Sequence, residues 1–198
     1  GDRDGNPRVT SEVTAKTLQM LGRAAREKVA RAMEDLRQEL SVSERRCRVP
    51  EALAAAIERD AAFDSADADL LAHTTHEPFR RRILQMHARV SRDPSYSAAA
   101  LLADLQEMRE CLRAVGLGDA ADEGPLAELI LRVRVFGLHM ATLDLRQHSG
   151  VHERVVAELL RAGGVHEDYA SLDEGARMEI LRRELAGPRP LLPPGAAV

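Results

Sequence analysis

Two stretches of the chain crowd chemically capable side chains together. The opening run Gly1-Asp2-Arg3-Asp4-Gly5-Asn6-Pro7 sets Asp2, Arg3, Asp4 and Asn6 almost side by side. Read alone, it is a self-paired polar turn. The run Leu143-Asp144-Leu145-Arg146-Gln147-His148-Ser149 places a guanidinium just after a roughly alternating apolar stretch. A guanidinium can grip a carboxylate or phosphate through two parallel hydrogen bonds. On residue statistics alone, though, Arg146 is an exposed surface arginine. His148 and His152 have the i, i+4 spacing that suits a metal ion on a helix, but Ser149-Gly150 weakens a helix between them. His73 and His76 lie in a polar, loop-like stretch that offers no third ligand. These patterns give no reason to expect a metal site in this chain.

The elements that must position these groups are mostly helices. A stripe of Val13, Leu18, Leu21, Ala25, Val29, Met33, Leu36 and Leu40, with Ser11 as N-cap, predicts one long helix from about Ser11 to Leu40. Pro50 suits a first helical turn, ahead of Leu53, Ala56 and Ile57. Residues 60–69 are small and acidic and read as a loop or poor helix. Helices follow from Glu77-Pro78-Phe79, from Ser97 to near Gly116, and from Pro125 through Val133. Two more are expected near 151–162 and 171–186, before Gly187-Pro188 and a proline-rich tail.

Between them the period changes. Residues 138–145 alternate after Gly137 and read as a short strand. A lone strand would leave its backbone N–H and C=O groups unpaired, which is costly when buried. Either the segment is no strand, or its sheet partners lie in polypeptide beyond this sequence. The start in a polar loop without Met and the abrupt stop after Pro193-Pro194-Gly195 lead to the same expectation, a piece of a longer protein.

Composition excludes several classes. With 28 basic against 32 acidic residues, the net charge of −4 and an aromatic content of 3% give no footprint for nucleic acid. Arginines alternate with acids along the helices and read as solvated, internally paired faces. No apolar run reaches membrane-spanning length, so no membrane is expected as partner. Cys47 and Cys111 form no CxxC pair and suggest structural thiols in a reducing compartment, taken as the cytoplasm.

The blocks themselves carry a resemblance. Gly1-Asp2-Arg3-Asp4-Gly5-Asn6-Pro7-Arg8-Val9-Thr10 closely resembles the GDRDGNPxVT block of phosphoenolpyruvate carboxylases. Phe136-Gly137-Leu138 with Leu143-Asp144-Leu145-Arg146-Gln147-His148-Ser149 looks like that family's FGL…LDIRQES block, with His148 where Glu is usual. Glu39-Leu40-Ser41, Glu77-Pro78-Phe79-Arg80 and Glu184-Leu185 with Arg189-Pro190-Leu191 are weaker echoes, all in family order.

The resemblance implies a mainly α fragment of a helix-elaborated (β/α)8 barrel enzyme, with at most one short strand near 138–145 ending in Arg146. It implies Arg146 as a catalytic group, Asp2, Arg3, Asp4 and Asn6 as an active-site loop, and Asp144 and Gln147 as neighbours that support Arg146. The intact enzyme would take phosphoenolpyruvate and bicarbonate to oxaloacetate and phosphate with Mg²⁺ or Mn²⁺, as a homotetramer. The family's TAHPT and GYSDSxKD motifs and its metal-binding carboxylates are absent from this chain, so the chain alone is expected to be inactive. The competing reading is an autonomous helical interaction or scaffold domain without catalysis.

Overall fold

The computed structural model describes residues 6, 8–65, 67–144, 146–188 and 190–192. They form helices α1 (Ser11–Glu39), α2 (Glu51–Arg59), α3 (Ala68–Thr74), α4 (Pro78–Arg92), α5 (Ala98–Ala114), α6 (Gly118–Asp122), α7 (Pro125–Phe136), α8 (Ser149–Ala162) and α9 (Glu174–Ala186), with two 3₁₀ turns at Ala61–Phe63 and Tyr169–Ser171. The chain divides into two compact units, residues 15–142 and residues 1–14 with 143–198.

In the unit of residues 15–142, α1 buries Ala25, Val29, Met33 and Leu36 at helical spacing. Leu40, just past its end, continues the row. They meet Leu53 and Ile57 of α2, Phe79, Ile83, Met86 and Val90 of α4, Leu101, Leu105, Met108 and Leu112 of α5, and Leu126, Leu129, Ile130 and Val133 of α7 in one continuous core. The stripe read along α1 is buried only from Ala25 onward, because Leu18 is half exposed with no core beneath it. Thr10, not Ser11, stands at the helix start: its Oγ1 accepts from the Val13 N–H at 3.3 Å, and its carbonyl accepts from the Thr14 hydroxyl. Ser97 caps α5 as the sequence suggests, its Oγ accepting from the Ala100 N–H.

The stretch 60–69, which reads as a loop or poor helix, runs at its end into helix α3 (Ala68–Thr74). Asp67 supplies the reason, since its carboxylate accepts from the N–H groups of Asp69 and Leu70. The acidic character of this stretch is a helix start as well as a turn.

The expected strand at 138–145 does not form among the described residues. Gly137 ends α7 with φ 54°, where a Cβ would lie 2.6 Å from the His139 ring. Met140 also has positive φ, and its N–H returns to the Phe136 carbonyl at 3.0 Å. Residues 137–141 are therefore turn and bend, residues 142–144 irregular, and Leu145 lies outside the described residues. The alternating pattern is consistent with a strand, but a strand exists only against a partner.

Arginines hold the helices together in a way the alternating charge pattern did not suggest. Arg82 of α4 is 1% exposed. Its Nη1 donates to Asp60 Oδ2, and its Nη2 lies 2.8 Å from Asp104 Oδ1, an ion pair whose angle falls outside hydrogen-bond geometry. Arg89, about two turns on, reaches Asp60 at 3.0 Å and Asp104 at 3.4 Å while stacking over the Tyr96 ring at 3.9 Å. Tyr96 in turn donates to Asp104, and burial with that bond pushes its hydroxyl pKa far up.

Two further arginines join α1 and α4 reciprocally. Arg26 of α1 donates to the carbonyls of Val90, Asp93, Pro94 and Tyr96 at the C-terminal end of α4. Arg80 of α4 donates to those of Arg37 and Gln38 at the C-terminal end of α1. The helices are thus antiparallel, and each cation sits where the helix dipole is negative.

The other unit has a small core of Ala157, Leu160, Tyr169 and Ile180, edged by Val156, Val165, Leu172, Leu181 and Leu191. Asp173 caps α9 through the Ala176 N–H, and Arg177 pairs with Glu153 across α8 and α9 at 2.7 Å.

Removing one partner of a buried ion pair leaves the others uncompensated, at about 3–5 kcal/mol. Arg82→Met should lose about 3 kcal/mol of unfolding free energy in urea, the lower figure because Arg89 still faces both carboxylates. A loss below about 1 kcal/mol would show that Arg82 does not join α2, α4 and α5.

A pH dependence follows from two aspartates. Burial raises the Asp60 pKa, but Arg82 and Arg89 outweigh it and hold it below the usual carboxylate range. Arg81 does the same for Asp64, against burial and with help from Gln85. A carboxylate whose folded pKa is depressed contributes stability above its unfolded pKa, roughly 4, and loses it as pH falls through the folded value. Melting temperature should be level above about pH 5 and fall steeply below about pH 4, and Asp64→Asn should flatten that fall.

Candidate functional site

The described residues of the opening block and of Leu143–Ser149 fall in one unit, while Phe136-Gly137-Leu138 falls in the other. Residues 1–14 and 143–198 cluster together although more than a hundred residues of helical chain separate them in sequence. Asp2, Arg3 and Asp4 lie outside the described residues. Asn6 is exposed and builds an Asx turn: its Oδ1 accepts from the Arg8 N–H at 3.0 Å, and its carbonyl from the Val9 N–H at 3.1 Å. The turn leads into Thr10 and the start of α1.

Arg146 is exposed and makes an isolated β-type bridge after the irregular residues 142–144. It differs in kind from Arg82. Among the described residues no carboxylate pairs with it. Asp144 is exposed beside it in sequence. Gln147 is half-buried and bends back, its Oε1 accepting from the His148 N–H at 2.9 Å. Its carboxamide is thereby committed to the backbone that carries Arg146 into α8.

His148 has a structural task. It is the N-cap of α8, with Nδ1 accepting from the Gly150 N–H at 3.1 Å. That commits its Nδ1 to the start of the helix. His73 Nδ1 contacts the Asp69 carbonyl at 2.6 Å, and His76 pairs with Glu44 at 2.7 Å. Among the described residues no group of three or more His, Cys, Asp or Glu could hold a metal ion. Nor is any helix among them long and apolar enough to cross a membrane. Cys47 and Cys111 are free thiols, and burial pushes the Cys111 pKa up.

The whole chain, residues 1–198, matches the family model described as phosphoenolpyruvate carboxylase. The chain belongs to this family. It is 42% identical to the phosphoenolpyruvate carboxylase of Rhodothermus marinus over 208 aligned residues, covering 100% of the chain and 22% of that protein. It is 40% identical to that of Thermus thermophilus, again over 100% of the chain and 21% of the relative. With that of Mycolicibacterium paratuberculosis it shares 41% over 97% of the chain and 21% of the relative. The chain thus spans about a fifth of the length of the phosphoenolpyruvate carboxylases it matches.

What sequence reading missed at this site is the cap. A histidine is an unusual N-cap, and the signal available was only its place two residues before Gly150 at the head of an amphipathic run. Replacing a capping side chain by Ala costs about 1 kcal/mol. His148→Ala should lower the stability of α8 by roughly that amount, measured by hydrogen exchange of the Gly150 and Val151 amides, while His148→Asn restores it. Zn²⁺ should leave the melting temperature unchanged, and a clear upward shift would show that the histidines do converge on metal.

Proposed function

We propose that this chain is a central segment of a phosphoenolpyruvate carboxylase, which as the intact protein carboxylates phosphoenolpyruvate with bicarbonate to oxaloacetate and phosphate. The observation that carries the reading is the match over the entire chain with relatives about five times its length. The segment's own contribution is Arg146. Both substrates are anions, and the reaction develops further negative charge on a phosphorylated intermediate and on an enolate. A fixed guanidinium stabilises such charge most where water is excluded and the donors are already in place. Asp144 and Gln147 hold the backbone around Arg146, and the loop of Asp2, Arg3, Asp4 and Asn6 lines or braces the same site.

The remaining features of the enzyme are supplied by polypeptide outside this segment. The Mg²⁺ or Mn²⁺ ligands belong there, and so do the sheet neighbours that would make residues 138–145 a strand of a (β/α)8 barrel. On this reading the working protein is a cytoplasmic homotetramer, and the 198-residue chain alone forms no oxaloacetate.

In the intact enzyme, Arg146→Ala should reduce kcat/KM about a hundredfold, on the order of 3 kcal/mol in the barrier. Arg146→Lys should recover little, because an ammonium cannot reproduce the planar fork. In the isolated chain, Arg146→Ala should hardly move the melting temperature. The opposite pattern, a less stable chain and near-normal turnover, would make Arg146 an ordinary structural arginine. Oxaloacetate formation by the isolated chain above a no-protein blank would refute the claim that the site is incomplete.

A further inference from the structure

Helix α7 is apolar on opposite sides. Leu126, Leu129, Ile130 and Val133 point into the core, whereas Leu131 and Val135, one turn apart on the far side, are 58% and 60% exposed. Phe136 at its C-terminal end is 49% exposed. Of the charges beside this outer face, Arg132 Nη2 pairs with Glu128 at 2.9 Å, and Arg134 stands next to Val135. A surface helix has one apolar stripe and one polar face, and a helix apolar all round is one buried on all sides.

The neighbouring end of α1 shows the same incompleteness. Leu18 lies on the row that Ala25, Val29, Met33 and Leu36 bury, yet it is half exposed. Gly22 lies against the turn after α7, where a Cβ would sit 3.7 Å from the Leu138 carbonyl, so Leu18 is near the Phe136 end of α7. Between the two helices runs a groove of about 420 Å³, whose lining mixes Val29, Leu129 and Phe136 with the charged Lys28, Arg31 and Asp35. The unit of residues 15–142 therefore carries an apolar face running from Leu18 across Phe136 to Val135 and Leu131.

We infer that this face is an intramolecular interface, covered in the intact protein by another part of the same polypeptide that presents an apolar surface of its own. The inference rests on the reading of the chain as a segment of a longer carboxylase. The length supports the occupant: about four-fifths of each matched relative lies outside the aligned segment, so far more polypeptide is at hand than one face requires. The chemistry asks for aliphatic side chains in the occupant opposite Leu131, Val135 and Phe136. A helix apolar on two sides fits between two layers of one domain.

The test uses the full-length enzyme, carrying Leu131→Cys or Val135→Cys one at a time, with Glu110→Cys on the exposed side of α5 as reference. Maleimide labelling is followed at each position by peptide mass, in native buffer and in urea, at concentrations above and below subunit dissociation. Covered positions should label at least tenfold more slowly than position 110 in native buffer, and equally fast in urea. The protection should persist in dissociated subunits. Labelling at the reference rate would overturn the inference, as would protection lost on dissociation, which assigns the face to a second copy. Oxaloacetate formation by the same preparations separates the two claims. Protected positions in a protein without carboxylase activity would sink the carboxylase reading and leave the covered face, whereas freely labelled positions in an active enzyme would do the reverse.

Discussion

A guanidinium removed from water has to be met by carboxylates already fixed in place, and Arg82 is met from two directions. Asp60 comes from the corner after α2 and Asp104 from α5, so burying Arg82 of α4 requires all three elements to be in register. The surrounding groups are satisfied only in the same arrangement: Tyr96 donates to Asp104, and Arg89 stacks on Tyr96 while facing both aspartates. The pairing adds little net stability over an apolar core of the same volume, since desolvation offsets most of the attraction. Its effect is to penalise every other packing of these helices, because any slip strands a charge in the interior.

The reciprocal arginines extend that logic to the longest helix. Arg26 and Arg80 bind the exposed carbonyls at the ends of α4 and α1, groups with no partner inside their own helices. Four arginines, two on carboxylates and two on carbonyls, thus fix the frame of residues 15–142. Arg146 is the contrast. It is exposed, follows an irregular stretch and pairs with no carboxylate among the described residues. One residue type serves as scaffold where it is buried and paired, and stays open to solvent where it is not.

The local elements were legible in the sequence because they depend on near neighbours. The extent of α1, the Ser97 cap and the helices begun by Pro78 and Pro125 follow from periodicity and from capping chemistry within a few residues. The misreadings share a cause as well. Asp67 was taken for loop acid and proved a cap, and residues 138–145 alternate like a strand yet turn at Gly137 and Met140 in the absence of a pairing edge. Arg146 was legible only through the motif around it, since nothing in its spacing distinguishes it from a surface arginine.

What the sequence alone determined is therefore the helical character, the family blocks and the position of Arg146 within them, all carried by residues contiguous in the chain. The tertiary structure alone decided which arginines are buried. Arg82 lies 22 residues from Asp60 and in a separate helix from Asp104, and no local pattern reports so distant a pairing. It also decided that Leu131 and Val135 face outward and that Leu18 outruns the core. Hydrophobic period states which residues share a side of a helix, but what packs against that side depends on every other element.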